Sequence, residues 1–597
     1  MPSAKAVRLL LLVAIAAVSF GGCNTASDSS TPPPKITINS VGAFYGAGSP
    51  LPGTYAIAGQ GPFQLLVNGT GFTAASVIQW NGASLPTSFG DSTDLAASVS
   101  SSLIAQPGTV KITVSASAVT SNAVPFGIAS PATVTAGVIS LITIALDGSP
   151  ANGDSLVAPS ISATGRYVAF QSNATNLAPG PASGFQEIYE RDTCIGATSG
   201  CTPSTIRISV TFDGSAVNGH SRDSAISADG RYVAFDSSAS NILNLAQAST
   251  ICAALGQSCV YLRDTCSGVT SGCTPGTALI STDVTGNLAN GGSPSITRDG
   301  RFVTFNSTGQ TNGVNNVFVR DTCNGASSPC TPSTTLVSAS SAGAQGNQNS
   351  EPQALSSTAR YLAFDSFATN LVPNAPTDGN DHLYLRDSCV GAPSDCAPGT
   401  IQLDVGGSSG LGGAGLDSTV IPGISADGRL VAFSTLSINL VPQNIQGFAN
   451  AYVRDTCIGA SSGCSPSTQL ASIGNDDSIG NEPSQVDGQS PMSADGRFVA
   501  FESLASNLVP GDTFAPASFK DIFVRDTCFG VPSGCFPSTV RVSVTNTPQI
   551  ATESNAICDL GAISADGHYV VFLSSATNFT TPPGNGHAMV YLAKTGF

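Results

Sequence analysis

The sequence predicts an all-β chain: a small sandwich followed by a ring of seven four-stranded sheets. Three observations carry that reading. First, the word Ser493-Ala494-Asp495-Gly496-Arg497-Phe498-Val499-Ala500-Phe501 recurs in seven versions, beginning at Ser162, Ser227, Thr297, Ser356, Ser425, Ser493 and Ser564. Steps of about 59 to 71 residues between fixed words are the signature of a repeat architecture. Second, Gly and Pro make up about a sixth of the 597 residues and charged residues a tenth, a profile of short strands and many turns. Third, no stretch sustains a 3.6-residue apolar period.

The net charge of -16 argues against binding nucleic acid or an anionic membrane surface through a basic patch. Twelve of the 17 arginines sit at two fixed positions of the repeat, so most Arg is expected to be scaffold.

Taken in order, Lys5 and Arg8 precede an apolar run, Leu9 to Val18, then small residues and Cys23. This predicts a signal peptide over 1–22, too short in its apolar part to span a bilayer. Phe20-Gly21-Gly22-Cys23 resembles a bacterial lipobox, with Phe20 in place of the usual Leu. The resemblance implies lipidation of Cys23 and an exported protein held at the outer membrane, on its periplasmic side or at the cell surface; a plain secretory signal is the alternative. Residues 23–34 are polar and Pro-rich, a disordered tether.

Over 35–129, alternating runs at Lys35 to Ile38, Phe63 to Val67, Ser76 to Gly82, Pro107 to Val114 and Ser121 to Phe126 are separated by Asn-Gly and Pro-Gly turns. They predict an immunoglobulin-like β-sandwich. The ordered words V-x-G-x-G-F, V-x-W-N-G, P-G-T-x-x-I-T-V and S-N-x-x-x-F resemble the IPT/TIG family, which implies a spacer or contact module. Trp80, the single Trp, is expected in its core.

From 138 to 597, each unit reads as four antiparallel strands. In the second, strands are expected to end at Ala225-Ala228 and to run over Arg231-Phe235, Val260-Asp264 and Thr277-Ser281, with Asp229-Gly230 as a short hairpin turn. The phrases S-A-D-G-R-x-V-A-F, S-x-A-x-N-L and aromatic-V-R-D resemble the TolB-like (WD40-like, PD40) propeller repeat, which implies a seven-bladed β-propeller. The match thins at Ser356-Ala359, at Asn306-Thr308, and in the last unit, where His568 and Ala593 replace arginines. That unit reaches its third strand at Val590-Leu592, while Thr143 to Gly153 aligns with Ser209 to Gly219, the end of a fourth strand and its following loop. The spare N-terminal strand is therefore expected to complete the last blade, a Velcro closure.

Six units carry paired cysteines just after the R-D word: Cys194/Cys201, Cys266/Cys273, Cys323/Cys330, Cys389/Cys396, Cys457/Cys464 and Cys528/Cys535. Constant spacing in an exported chain predicts a disulfide framework, each pair clipping the turn between strands three and four. Cys252/Cys259 repeats the spacing inside an insertion. With no C-x-x-C pair and four His, the rival metal reading is poorly supported. If Cys23 is acylated, Cys558 is a lone thiol.

The D-G turns and the Cys clips are expected on one face. The opposite face would carry the N-L loops and the long linking loops, such as Asp213 to Asp223, Ser341 to Gln353 and Asn475 to Gln489, where ligand sites concentrate on rigid scaffolds. The repeated Asn176, Asn241, Asn370, Asn439, Asn507 and Asn578 could form a functional ring, but a turn role explains their repetition. The same holds for the R-D pairs. Asp476, Asp477, Glu482 and Asp487 make the densest acidic loop, without the spacing of a calcium loop. Gly406 to Gly410 and Gly459 to Gly463 fit G-x-S-x-G but lie between no strand and helix, as a nucleophile elbow requires.

The sequence thus predicts no catalytic residue, cofactor or metal. It predicts a non-catalytic envelope lipoprotein whose loop face contacts a protein or a glycan. The alternative is a propeller-type hydrolase or lyase acting on glycans through non-repeated carboxylates at the channel mouth.

Overall fold

The computed structural model describes residues 35–597 apart from 45–54, 58–61, 107, 117–118, 130–138, 181–182, 198–199, 245–250, 254–256, 270, 309–312, 391, 393–394, 406–421, 444, 446, 461–462, 510–518, 532–534, 546–553 and 581–582. The signal, the tether, Cys23 and the first G-x-S-x-G word lie outside these residues. The chain divides into two compact units, the first built on residues up to Thr133 and the second on residues from Val134.

In the first unit, Phe63–Thr70 alternates buried and exposed side chains, the period of a strand with one face in a core. It pairs with Thr37–Phe44 and Asp94–Val99, and Thr87–Phe89 adds a fourth strand to that sheet. The second sheet runs Tyr55–Ile57, Val124–Ala129, Gly108–Ala116, Val77–Trp80 and Ala83–Ser84, with Val119–Thr120 at its side. Leu65, Val99, Ile78, Ile112 and Phe126 from both sheets share one core. Trp80 belongs to it, packed on Phe126 with centroids 5.7 Å apart. The strands Thr87–Phe89 and Asp94–Val99 carry no strong turn-bounded alternation, which is why the sequence does not announce them.

Among the described residues the second unit holds seven four-stranded antiparallel sheets, I to VII. Their first strands are Ser160–Ile161, Ser221–Ile226, Gly292–Ile296, Ser350–Leu355, Gly423–Ile424, Ser484–Gln485 and Cys558–Ile563. Sheet VII takes its fourth strand from Ser140–Leu141, which pairs with Met589–Lys594. The pairing thus sits just before the Thr143 to Gly153 segment, which forms the link that follows; Ile142 N–H still donates to Val590 O at 2.9 Å.

Each sheet is held by an apolar strand two. Phe170, Phe235, Phe305, Phe364, Phe433, Phe501 and Phe572 are fully buried. Each stacks on the aromatic ring directly across on strand three, at centroid distances of 5.6 to 5.9 Å. Such pairs add about 0.5 to 1.5 kcal/mol beyond the area they bury.

The D-G word does not make the expected two-residue hairpin. Val233 pairs with Ile226, so the connection spans 227–232. Gly230 N–H closes a β-turn on Ser227 O, and Gly230 then takes φ +80. The hydroxyl at the head of the word organises the turn: in all seven sheets it accepts the main-chain N–H five residues on, at 2.9 to 3.0 Å. In five it also donates to the Asp of D-G. The glycine is needed for a second reason. A Cβ on Gly230 would stand 2.1 Å from the Tyr167 ring of the preceding sheet, and Gly300, Gly428 and Gly567 meet Tyr232, Tyr361 and Phe498 likewise.

Main-chain bonds between these turns connect neighbouring sheets. Ala163 N–H donates to Ala228 O, Ala228 to Arg298, Ser357 to Ala426, Ala426 to Ala494 and Ala494 to Ala565, and Asp566 N–H returns to Ala163 O. Sheet VII is thereby bonded to sheet I. Among the described residues the junction of III and IV lacks this bond.

Candidate functional site

The repeated charged residues are engaged in holding the sheets, and Arg386 and Arg525 also donate to main-chain carbonyls of the preceding sheet. The Arg after D-G grips the Asp of the R-D word in sheets I to VI, for example Arg231 with Asp264, at 2.6 to 3.0 Å. In five of them its guanidinium also lies 4.7 to 4.9 Å above the following aromatic ring. The same Asp accepts the main-chain N–H of the first clip cysteine, as Asp192 does from Cys194 at 2.8 Å. The Arg of R-D bonds a strand-four threonine at 2.9 to 3.1 Å. Burial raises the Asp264, Asp321 and Asp455 carboxyls, but the arginine and cysteine hydrogen bonds outweigh it and hold them below the usual range. Sheet VII has lost the whole device together: His568 replaces the Arg, Lys594 the Asp, and the clip is missing.

All the expected cysteine pairs stand at disulfide distance. In the clips Cys194–Cys201, Cys266–Cys273, Cys323–Cys330, Cys389–Cys396, Cys457–Cys464 and Cys528–Cys535 the Cα atoms are 5.6 to 5.8 Å apart, and in Cys252–Cys259 they are 4.9 Å apart. Each of these six clips lies between strands three and four, and Cys535 shows a further contact. Its sulfur lies 3.7 Å from the Arg497 guanidinium and 3.8 Å from the Asp526 carboxylate, so Cys535 also covers the ion pair that ties strand two to strand three. Residues 532–534, within the loop that Cys528 and Cys535 close, lie outside the described residues. Cys201, Cys273, Cys330 and Cys464 stand over their own Arg–Asp pairs in the same way.

Asp192, Cys194 and Cys201 come within metal-ligand reach of one another. Their sulfurs are bonded to each other and the carboxylate is held by Arg166, so the group does not fit a cation. Cys558 is unpaired among the described residues and buried, its thiol pushed up to about 12 first by that burial.

The repeated asparagines fasten the linking loops. Asn176, Asn241, Asn370, Asn507 and Asn578 each accept, through the side-chain oxygen, the main-chain N–H of a second asparagine in the loop. Those second residues, Asn152, Asn218, Asn347, Asn481 and Asn555, reach back to the N-L loop and bond its hydroxyl at 2.8 to 3.1 Å. The linking loop that precedes Asn439 in sequence, 406–421, lies outside the described residues. In the acidic loop, Asp476 accepts from its own turn at Ser478 N–H.

What remains is a set of non-repeated polar side chains at the loop-face ends of the inner strands. Arg222 donates to Gln186 across the I/II junction at 3.1 Å. Glu351 of sheet IV accepts from Asn306 and Asn315 of sheet III. Lys520 of sheet VI bridges Glu502 at 2.6 Å and Asp559 of sheet VII at 3.1 Å. Burial raises the Glu351 and Glu502 carboxyls against these partners.

One pair of carboxyls stands apart. Asp223 occupies a bulge of strand one with φ +48, a conformation rare outside glycine. Its neighbour Arg222 lies opposite Asp236, which is 8 % exposed and leaves one oxygen without a hydrogen bond. Burial, then the Asp223 charge, lifts Asp236 to about 7. Residues of all seven sheets and their links also line an axial cavity of about 90 Å³ toward the D-G face, among them Ile161, Ile226, Ile296, Leu355, Ile424 and Ile563.

None of these residues belongs to a repeated word, so repeat reading passes over them. The signal lies in the departures: Glu190 stands where the other six sheets carry Leu or Val, and Arg298 where five carry Ala and one Ser. His382, in a column without a consensus residue, is fully buried between Asp404 at 2.6 Å and Asp378 at 3.1 Å.

The second unit has the make-up of a β-propeller. No protein-family model and no curated protein matches the sequence. Among solved structures the chain is similar to a protein assigned as TolB from Agrobacterium tumefaciens (13% identity, covering 66% of this chain and 94% of that one, TM-score 0.30). It is also similar to the β-propeller domain of the Trilobed protease from Pyrococcus furiosus (9%, 74% and 96%, TM-score 0.38) and to the Hadza microbial sialidase Hz136 (9%, 84% and 76%, TM-score 0.33). All three scores are low, and the chemistry of the site rests on the chain's own residues.

Proposed function

We propose that this chain is a non-catalytic cell-envelope lipoprotein, acylated at Cys23, in which an IPT/TIG-like sandwich spaces a seven-bladed, TolB-like propeller from the outer membrane. Its loop face binds a protein or a glycan. One observation carries this reading: the repeated arginines, aspartates and asparagines are consumed in holding sheets and loops, whereas non-repeated charged residues gather at the loop-face ends of the inner strands. A rigid frame with variable polar residues at one end is the form binding scaffolds take. The test replaces the linking loops with Gly-Ser while keeping Asn218, Asn347 and Asn481, which fasten them. Capture of a partner from envelope extract should fall with this variant, and unchanged recovery sinks the proposal.

A second reading, an enzyme acting on glycans as hydrolase or lyase, is favoured by the Asp223/Asp236 pair. A carboxyl poised near neutrality beside a second one is suited to passing a proton. Under this reading Asp236→Asn abolishes turnover of envelope glycan and leaves the fold intact; turnover that survives the change removes the pair from any mechanism.

A further inference from the structure

The face opposite the loops also carries a departure from the repeat. We propose that Arg298 is the centre of an oxyanion site in the axial cavity, taking a single carboxylate group.

The second residue of the turn word lines that end of the cavity in sheets I, II, III, V and VII. It is Ala163, Ala228, Ala426, Ala494 and Ala565 in five sheets and Ser357 in a sixth. In sheet III it is Arg298, the one charged residue among the described residues lining the cavity. Unlike the twelve repeat arginines, its guanidinium makes no hydrogen bond or ion pair among the described residues. It is partly buried, and a half-desolvated cation without a contacting counter-ion gains more from an incoming anion than a solvated one. Arg presents a planar fork that matches a carboxylate with two parallel bonds.

Three further observations describe the rim beside it. The ring of main-chain bonds between turns is broken at one junction, III/IV, where the Arg298 N–H donates to no main-chain carbonyl among the described residues. The rim around the cavity is acidic, with Asp229, Asp299, Asp427, Asp495 and Asp566 exposed. It is interrupted in sheet IV, next to Arg298, and in sheet I, because Thr358 and Thr164 stand where those sheets carry Asp. At the III/IV junction the rim thus offers a neutral residue and a main-chain donor without a main-chain acceptor among the described residues. The remaining carboxylates decide the class of ligand: they repel each added negative charge, so a monoanionic carboxylate is favoured over the more highly charged phosphate.

The test is binding of acetate, and separately of inorganic phosphate, to the full chain at constant ionic strength, followed by ligand-observed NMR. Acetate should bind, more tightly than phosphate, and Arg298→Ala should weaken it by at least about fivefold, the loss of one charge-assisted contact. That variant installs the residue of five other sheets, so it should fold, and its melting temperature without ligand should equal or exceed that of the parent. Absence of acetate binding, or binding undiminished in the variant, overturns the site. Phosphate binding more tightly than acetate overturns its assignment to carboxylates.

Discussion

Glu190 shows what a single departure from a repeat does to the energetics. It is 2 % exposed in a column otherwise filled by Leu and Val, bonded to the Ser267 hydroxyl at 2.6 Å through one oxygen and unpartnered at the other. Burial lifts its carboxyl to about 8, against the Ser267 bond. Between 4.5 and 8 the folded chain therefore keeps a proton that the unfolded chain has released. Stability falls as pH rises through that window, by at most about 1.4 kcal/mol per pH unit from this group. The urea midpoint should drop between pH 5 and pH 8 more in the parent than in Glu190→Leu; equal drops would show that Glu190 does not titrate there. His382 bears on pH through the opposite charge. Burial lowers its imidazole, but Asp404 and Asp378 raise it to about 9, so its contribution is complete below 6.5 and lost as pH rises through 9. Neither residue was legible as a site, because sequence reading weighs what recurs: Glu190 is an exception to its column, and His382 stands in a column with no consensus residue.

At the scale of the element, the turn word was legible as a turn but not as a joint. Its Asp-Gly pair signalled positive φ. That the glycine must also admit the preceding sheet's aromatic ring depends on packing between residues about 63 positions apart, as with Tyr167 and Gly230. Gly230→Ala should cost more than about 2 kcal/mol, from left-handed strain and the clash together. Sheet IV supplies the converse, since Ala359 holds the same conformation at φ +56. Ala359→Gly should stabilise by up to about 1 kcal/mol, the strain relieved less the buried methyl lost. Thermal or urea unfolding of the two variants checks both, and a destabilised Ala359→Gly would mean that the methyl's packing outweighs the strain. The clips were legible as pairs because cysteine spacing is a direct report of loop closure. That Cys535 and its counterparts also cover an ion pair was not, since Arg497 joins them from strand two, 38 residues away. The asparagine fastening was half legible: the N-L residue repeats visibly, but its partners, such as Asn218 and Asn347, sit in loops of varying length.

For the molecule as a whole, repetition made the architecture readable as all-β, with four-stranded sheets in series and an N-terminal strand pairing with the last of those described. Function is written where repetition stops, and one chain shows those positions only once the repeated residues have been assigned their structural work. This division of labour is put at risk most sharply by neutralising the non-repeated loop-face charges, Glu351→Gln, Glu502→Gln, Lys520→Gln and Asp559→Asn together, beside a control that neutralises the repeated rim aspartates Asp229, Asp427 and Asp495 to Asn. Partner capture from envelope extract and the melting temperature are measured for both. The loop-face variant should lose capture with a modest change in melting, whereas the rim variant should melt earlier and still capture. Capture retained by the first and lost by the folded second would contradict the division.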